Sequence, residues 1–483
     1  MGVRPELNHT TTTQLKGWKD SLYEFCANHN NHPDATCIVD PASIWQRVHG
    51  YLGDHASDQK KLSGMMETYR RECDREVHGE DALFSDDPEA EVERDRLLDE
   101  KLKKMLENAG GKECWVSLPP AERLRQEREM IREVQIALGE QAYQRLSPEE
   151  QKEVDFWVYT GCTMHKDLNA AKGGADRMAR SWEEKKKTPP IKLLSKAQET
   201  AAESGHSSAP KKGKGGRQPE SSGVKLTGIL GALVKHKNPK KGHQARFRVY
   251  CRKTLGFEIL FPDTSNNRYQ SHGYAATEIV HHRQLYIDFL LGVRDRKATT
   301  GGLNHMEENA LAGLMDDATF TELQVLALYT QSISLPLSQL VRAPYHQSTN
   351  GLDLGPEFSR LLKHLKAIAK DPNILIGPNA SPMTATFDGQ PWHNPDAIAN
   401  ILRDQSQYPH LRSALVAFFE GALEGWERFT RDVLDNPKLS AATPEQRYKA
   451  FRRPANDLNE GALGLMRRTF RNFPRITFGQ LNA

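Results

Sequence analysis

The sequence predicts a mainly α fold with a small β component, an α+β chain whose helices carry most of its length. Three observations point that way. Charged residues make up 27% of the 483 and hydrophobic residues only 37%, the balance of many solvated helices and one or more flexible segments. Two short apolar runs, at 48–52 and 156–159, each lead into a helix-type segment. The second half is a succession of helix-period runs separated by prolines.

In chain order, residues 14–62 form a first globular piece. Trp18, Leu22, Tyr23 and Phe25 recur at helical spacing, then Ile44, Val48 and Tyr51 lead into Gly53-Asp54-His55-Ala56-Ser57-Asp58. Residues 48–52 read as a short strand or a helix end, and 60–76 as a charged amphipathic helix. From 85 to 153 Glu, Lys and Arg are dense, with Leu97, Leu98, Leu102, Met105 and Leu106 marking one apolar stripe. Ser147-Pro148-Glu149-Glu150 is a helix start, with a Ser cap, Pro in the first turn and acids at the positive dipole end. This block is expected to be a solvent-exposed helical hairpin inserted into something else.

The aromatic run at 156–159 reads as a buried strand feeding a helix through Gly161-Cys162-Thr163-Met164-His165-Lys166-Asp167-Leu168-Asn169. Residues 185–222, rich in Lys, Pro, Gly and Ser, are expected to be disordered. Helices are expected at 226–234, 246–255, 285–293, 320–332, 358–369, 397–402 and 411–433, and a strand at 257–261. The chain thus divides into 1–62, 63–155, 156–184, 185–222, 223–440 and 441–483.

Net charge narrows the partners little. There are 66 Lys and Arg against 63 Asp and Glu, leaving +3, so any basic surface must be local. No stretch approaches the ~20 apolar residues that a transmembrane helix needs, so no membrane partner is expected. The polar N-terminus lacks the apolar core of a secretory signal, and six scattered Cys fit a reducing compartment, nuclear or cytoplasmic.

Three constellations carry candidate chemistry. Cys162-x-x-His165 is half of a zinc site without a second pair; more plainly, Cys162 packs as a small hydrophobe and His165 makes a helix-start hydrogen bond. Asp54 at a strand end holds Mg²⁺ if a second carboxylate converges, and is otherwise a helix N-cap. In Asn456-Asp457-Leu458-Asn459-Glu460 the Asn side chains satisfy the turn's amides and fix a Glu on the first turn of a helix, as an ordinary capped helix also would. Glu322 and Glu307 are alternative acids, expected on exposed helical faces.

The order strand, Asp, helix, strand, Cys-x-x-His, helix, long helical insertion and late Glu resembles that of an RNase H-like DDE transposase. Gly53-Asp54-His55-Ala56-Ser57-Asp58 is similar to the second-Asp segment of hAT-like elements. The 161–169 peptide looks like the Cys-x-x-His segment of eukaryotic cut-and-paste transposases. Asn266-Asn267-Arg268-Tyr269 is similar to the Arg-Trp segment of those enzymes, with Tyr in place of Trp, and the 456–460 peptide resembles the setting of the third acid. Overall the chain resembles fungal transposon-derived proteins, hAT-like or of the Kyakuja–Dileera–Zisupton group.

That resemblance implies an incomplete RNase H-like core interrupted by large helical insertions. It implies that Asp54 and Glu460 are the catalytic, Mg²⁺-holding acids and that His165 lies near the scissile strand. Cys162, His165 and Arg268 would then form a structural motif, with Arg268 on the DNA backbone. The family's first catalytic Asp lies on an upstream strand, whereas only 53 residues precede Asp54 here, and Asp34 and Asp40 sit in a Pro-flanked loop. The expectation is an N-terminally truncated, catalytically defective protein, using Mg²⁺ only for residual activity. DNA is the expected partner, through Lys211, Lys212, Lys214, Arg217, Lys235, Lys240 and Lys241. The competing reading is a non-enzymatic helical scaffold for protein or DNA, with Asp54 and Glu460 acting as caps. Convergence of those two carboxylates beside His165 separates the readings.

Overall fold

The computed structural model describes residues 10–86, 88–203, 221–235, 242–264, 270–342, 349–477 and 480. It is mainly helical, with one two-stranded sheet. None of its helices is long and apolar enough to cross a membrane.

The chain begins with helices α1 (Thr11–Asn30) and α2 (Pro41–Gln46), the latter capped by the Asp40 carboxylate on the Ser43 amide. Strand β1 (Gly50–Gly53) follows, so residues 48–52 take the strand option, two residues late. Helix α3 (Ser57–Leu83) runs longer than the expected 60–76. It packs with α4 (Pro88–Asn108) and α5 (Pro120–Gln144), which form the expected charged hairpin with its own small core of Leu97, Val134 and Leu138. Ser147 and Glu150 make a reciprocal capping box that starts the short helix Pro148–Val154.

Strand β2 (Val158–Gly161) then pairs in parallel with β1, Gly50 opposite Val158 and Gly53 opposite Gly161. Parallel strands need a crossover, and the α3–α5 block supplies it. Helix α6 (Thr163–Glu184) leaves β2 directly. The remainder is built on α7 (Ser222–Leu230), α8 (Ser271–Arg296), α9 (Asp317–Tyr329), α10 (Gly355–Lys370), α11 (Leu411–Leu434) and α12 (Asp457–Asn472).

Three expectations need correction. Residues 156–184 and 223–440 are not separate units, because one core joins Met164, Ala170 and Met178 of α6 to Leu323 of α9 and Phe418 and Trp426 of α11. The 185–222 segment is ordered at both described ends. Leu193 is 1% exposed, Lys196–Glu203 is helical, and the Ser222 hydroxyl donates to the Ile191 carbonyl. Two apolar anchors, Ile191 and Leu193, outweigh the polar composition there, while residues 204–220 lie outside the described set. Residues 257–261 form no strand; Ile259 and Phe261 are buried by packing, with Phe261 edge-on to Tyr286 at 5.9 Å.

The α6–α11 contact sets the geometry of the whole. A Cβ on Gly421 would lie 2.6 Å from the Gly173 carbonyl, and one on Gly174 would lie 2.8 Å from the Phe418 carbonyl. Only glycine lets the two backbones approach this closely. Gly421→Ala is therefore expected to destabilise the protein by about 1–3 kcal/mol. Urea unfolding monitored by circular dichroism measures this, and an unchanged midpoint would contradict the close crossing.

Candidate functional site

The parallel register delivers two side chains to one place. Because Gly53 faces Gly161, Asp54 and Cys162 follow side by side at the carboxyl ends of β1 and β2, and the Cys162 amide extends the ladder to the Gly53 carbonyl at 2.9 Å. His165 lies one turn on, at the start of α6.

A distant segment closes over these ends. The Arg452 guanidinium reaches between the strands, donating to the Tyr51 carbonyl at 2.7 Å and to the Thr160 hydroxyl at 3.4 Å. Burial lowers the Arg452 pKa to about 10. The Thr163 amide bonds to the Pro454 carbonyl at 2.9 Å, and the Asn456 amide donates to the Cys162 sulfur at 3.3 Å. Helix α12 starts there, its Asp457 held by two 2.8 Å bonds from Arg342. Glu460, on the first turn, lies 3.9 Å from His165 Nε2.

His165 is the electrostatic hub of this cluster. Burial disfavours its cationic form, but the Cys162 hydrogen bond and the charges of Cys162, Glu460 and Asp54 outweigh burial and raise its pKa. Cys162 responds in the opposite sense. Burial disfavours its thiolate, yet hydrogen bonds from His165 and the Asn456 amide lower its pKa. The plain reading of Cys162 as a packed hydrophobe is thus incomplete, because its sulfur is a buried acceptor that fixes both His165 and the α12 junction.

The plain cap readings of Asp54 and Asn456 are not what the structure contains. The Asp54 carboxylate accepts from the Ala56 amide at 3.0 Å in a local turn, while Ala56 occupies the cap position of α3. Asn456 makes no side-chain cap on α12. Glu322 and Glu307 are not on exposed faces. Glu322 is buried and accepts from Trp182, Ser221 and the Gly223 amide, and burial raises its pKa to about 7 despite those bonds. Glu307, also buried, caps its own helix and binds Lys297 and His243. Each is satisfied within its own network.

Behind the site lies a constellation the sequence did not signal. Lys166, 1% exposed, donates to Asp432 Oδ1 of α11 at 2.5 Å, and the Gly161 amide donates to Asp432 Oδ2 at 2.6 Å. His55 packs against Gly161, where an added Cβ would meet its Nε2 at 1.9 Å. Lys166 lies inside the quoted Cys-x-x-His peptide, but nothing in the periodicity of 411–433 distinguished Asp432 from solvated acids.

Among the DNA-contact candidates, Lys235 ends a π-helical turn and is half-buried. Arg268, Lys211, Lys212, Lys214, Arg217, Lys240 and Lys241 lie outside the described residues. For a metal, Asp54 and Glu460 supply two carboxylates whose charges both act on His165, and no set of three His, Cys, Asp or Glu residues fit to hold an ion is found among the described residues. A pair of ions bridged by shared carboxylates needs more donors than this. No protein-family model, curated protein or solved structure matches the chain.

His55 supplies a pH test of the packing. Its side chain is 3% exposed, and burial, with Lys166 adding to it, lowers its pKa from 6.5 to about 4. The neutral ring is favoured in the fold, so its contribution is complete above pH 6.5 and is lost as pH falls from 6.5 through about 4. The span is worth about 3 kcal/mol. Unfolding free energies across this window should fall less steeply in His55→Gln than in the unsubstituted protein; identical slopes would mean that His55 is protonated in the native state.

Proposed function

We propose that the protein is a transposon-derived relative of DDE transposases, corresponding to the C-terminal part of their RNase H-like core, DNA-associated and defective in strand cleavage. The observation that carries this reading is the meeting of Asp54 at the end of β1, Cys162 and His165 at the end of β2, and Glu460 on α12. A scaffold that used Asp54 and Glu460 only as caps has no need to bring both charges to one partly buried imidazole.

Support also comes from the architecture. The α3–α5 block lies between the paired strands in sequence, and nearly all of the large helical body lies between α6 and α12, so the helical additions interrupt a small β-centred unit. In this reading Asp54 and Glu460 are the remaining Mg²⁺ ligands, and water or phosphate oxygens would fill the other positions of a single ion. His165, held toward its cationic form, faces the backbone of the bound strand.

The catalytic defect follows from the donor count. Asp40, in the Pro-flanked loop upstream of Asp54, is engaged as the cap of α2. Incubated with supercoiled plasmid and Mg²⁺ or Mn²⁺, the purified protein should nick no faster than Asp54→Ala. Metal-dependent turnover that disappears in Asp54→Ala would overturn the defect while retaining the site.

A further inference from the structure

A cleft of about 600 Å³ opens between α3, β2 and α11, on the side of β2 where Asp432 enters. It adjoins the candidate site, because the Tyr159 hydroxyl on its wall donates to the Asp54 carbonyl. Four exposed cations line it: Lys60, Arg428, Arg431 and Lys438. Two carboxylates face them, and both are engaged. Asp432 is taken up by Lys166 and the Gly161 amide, and Glu67 by Lys438 and Arg71. Lys60 and Arg428 meet no carboxylate among the described residues.

One of these cations stands over an aromatic ring. The Arg428 guanidinium lies 4.3 Å from the Phe429 ring centre, and the His55 ring packs against Phe429 at 4.9 Å. An exposed guanidinium supported from beneath by an aromatic ring is a planar cation, on which a nucleobase stacks well. Tyr159 and Lys60 then bound the space a phosphate would occupy. The volume falls within the range of small-ligand sites, enough for one or two nucleotides.

We infer that this cleft binds a segment of single-stranded nucleic acid, with a base stacked on Arg428 over Phe429 and the adjoining phosphodiester against Lys60. A duplex keeps its bases paired and stacked and offers none to such a pocket, so the cleft selects the single strand. The inference deepens the transposase-like reading and rests on it only for the origin of the strand beside Asp54.

Fluorescence anisotropy of a labelled oligothymidylate of about 20 nucleotides, titrated with the full chain between about 50 and 200 mM salt, tests it. Lys60→Gln combined with Arg428→Gln should weaken this binding about fivefold or more and flatten the salt dependence by about one phosphate's worth, ~0.7 in the log–log slope. Both side chains are exposed, so the melting temperature should not move. Affinity for a duplex of equal length should change less than about twofold, because a duplex presents no unpaired base to stack on Arg428. Unchanged oligothymidylate affinity in the double variant overturns the inference. Displacement by micromolar thymidine monophosphate also overturns it, assigning the cleft to a free nucleotide. The outcome is independent of nicking: plasmid turnover, present or absent, leaves the single-strand measurement as it stands.

Discussion

The fold hangs on one buried ion pair. Lys166, enclosed at the start of α6, meets Asp432 of α11, and the same carboxylate takes the amide of Gly161 at the end of β2. A two-stranded sheet is marginal by itself, so β1 and β2 need an external support. Asp432 supplies it at the carboxyl end of β2, and Arg452 supplies it through the Tyr51 carbonyl and the Thr160 hydroxyl. Removing one partner of such a pair leaves a buried charge uncompensated, at a cost of about 3–5 kcal/mol. The positions of Asp54, Cys162 and His165 follow from these two clamps, because all three leave the strand ends that the clamps hold.

The clamps also leave two differently charged settings beside β2. Toward α12, buried Cys162 and half-buried His165 meet the charges of two carboxylates, a setting that favours a cationic imidazole. Toward α11, the Asp432 charge is consumed internally by Lys166 and the Gly161 amide, and it is Lys60 and Arg428 of the outer rim that meet no carboxylate among the described residues. The near-zero net charge of +3 conceals this separation. Acidic and basic residues of the α3–α5 block cancel one another in surface pairs such as Arg96 with Glu93 and Arg125 with Glu122, which contribute little to stability. In the rim of the cleft Lys438 pairs with Glu67 and Arg431 with Asp435, whereas Lys60 and Arg428 are in no such pair among the described residues.

Much of this was legible in the sequence, and the division has a physical basis. Helix starts with short-range chemistry could be read directly: Ser147 caps the helix that begins at Pro148, as expected, and the long runs at 163–184 and 411–434 are helices. The strand-to-helix junctions at Asp54 and Cys162 could also be read, because turn and strand signals are local. The parallel pairing of β1 with β2 could not, since more than a hundred residues separate them and no local preference encodes a distant ladder partner. Buried charges were the largest miss. Glu322, Glu307, Lys166, Asp432 and Arg452 are polar residues whose burial is made tolerable by partners far away in sequence, so composition assigns them to the surface. The 185–222 segment failed for the converse reason: Ile191 and Leu193 anchor a stretch whose average composition is that of a tether.

The central claim is that Asp54 and Glu460 converge on His165 from opposite ends of the chain. Titration of the His165 imidazole by NMR in the full-length protein measures that convergence without reference to activity. The account predicts a His165 pKa above the ordinary value of 6.5, which falls in Asp54→Asn and falls again when Glu460→Gln is added. A His165 pKa at or below 6.5 that neither substitution moves would contradict it.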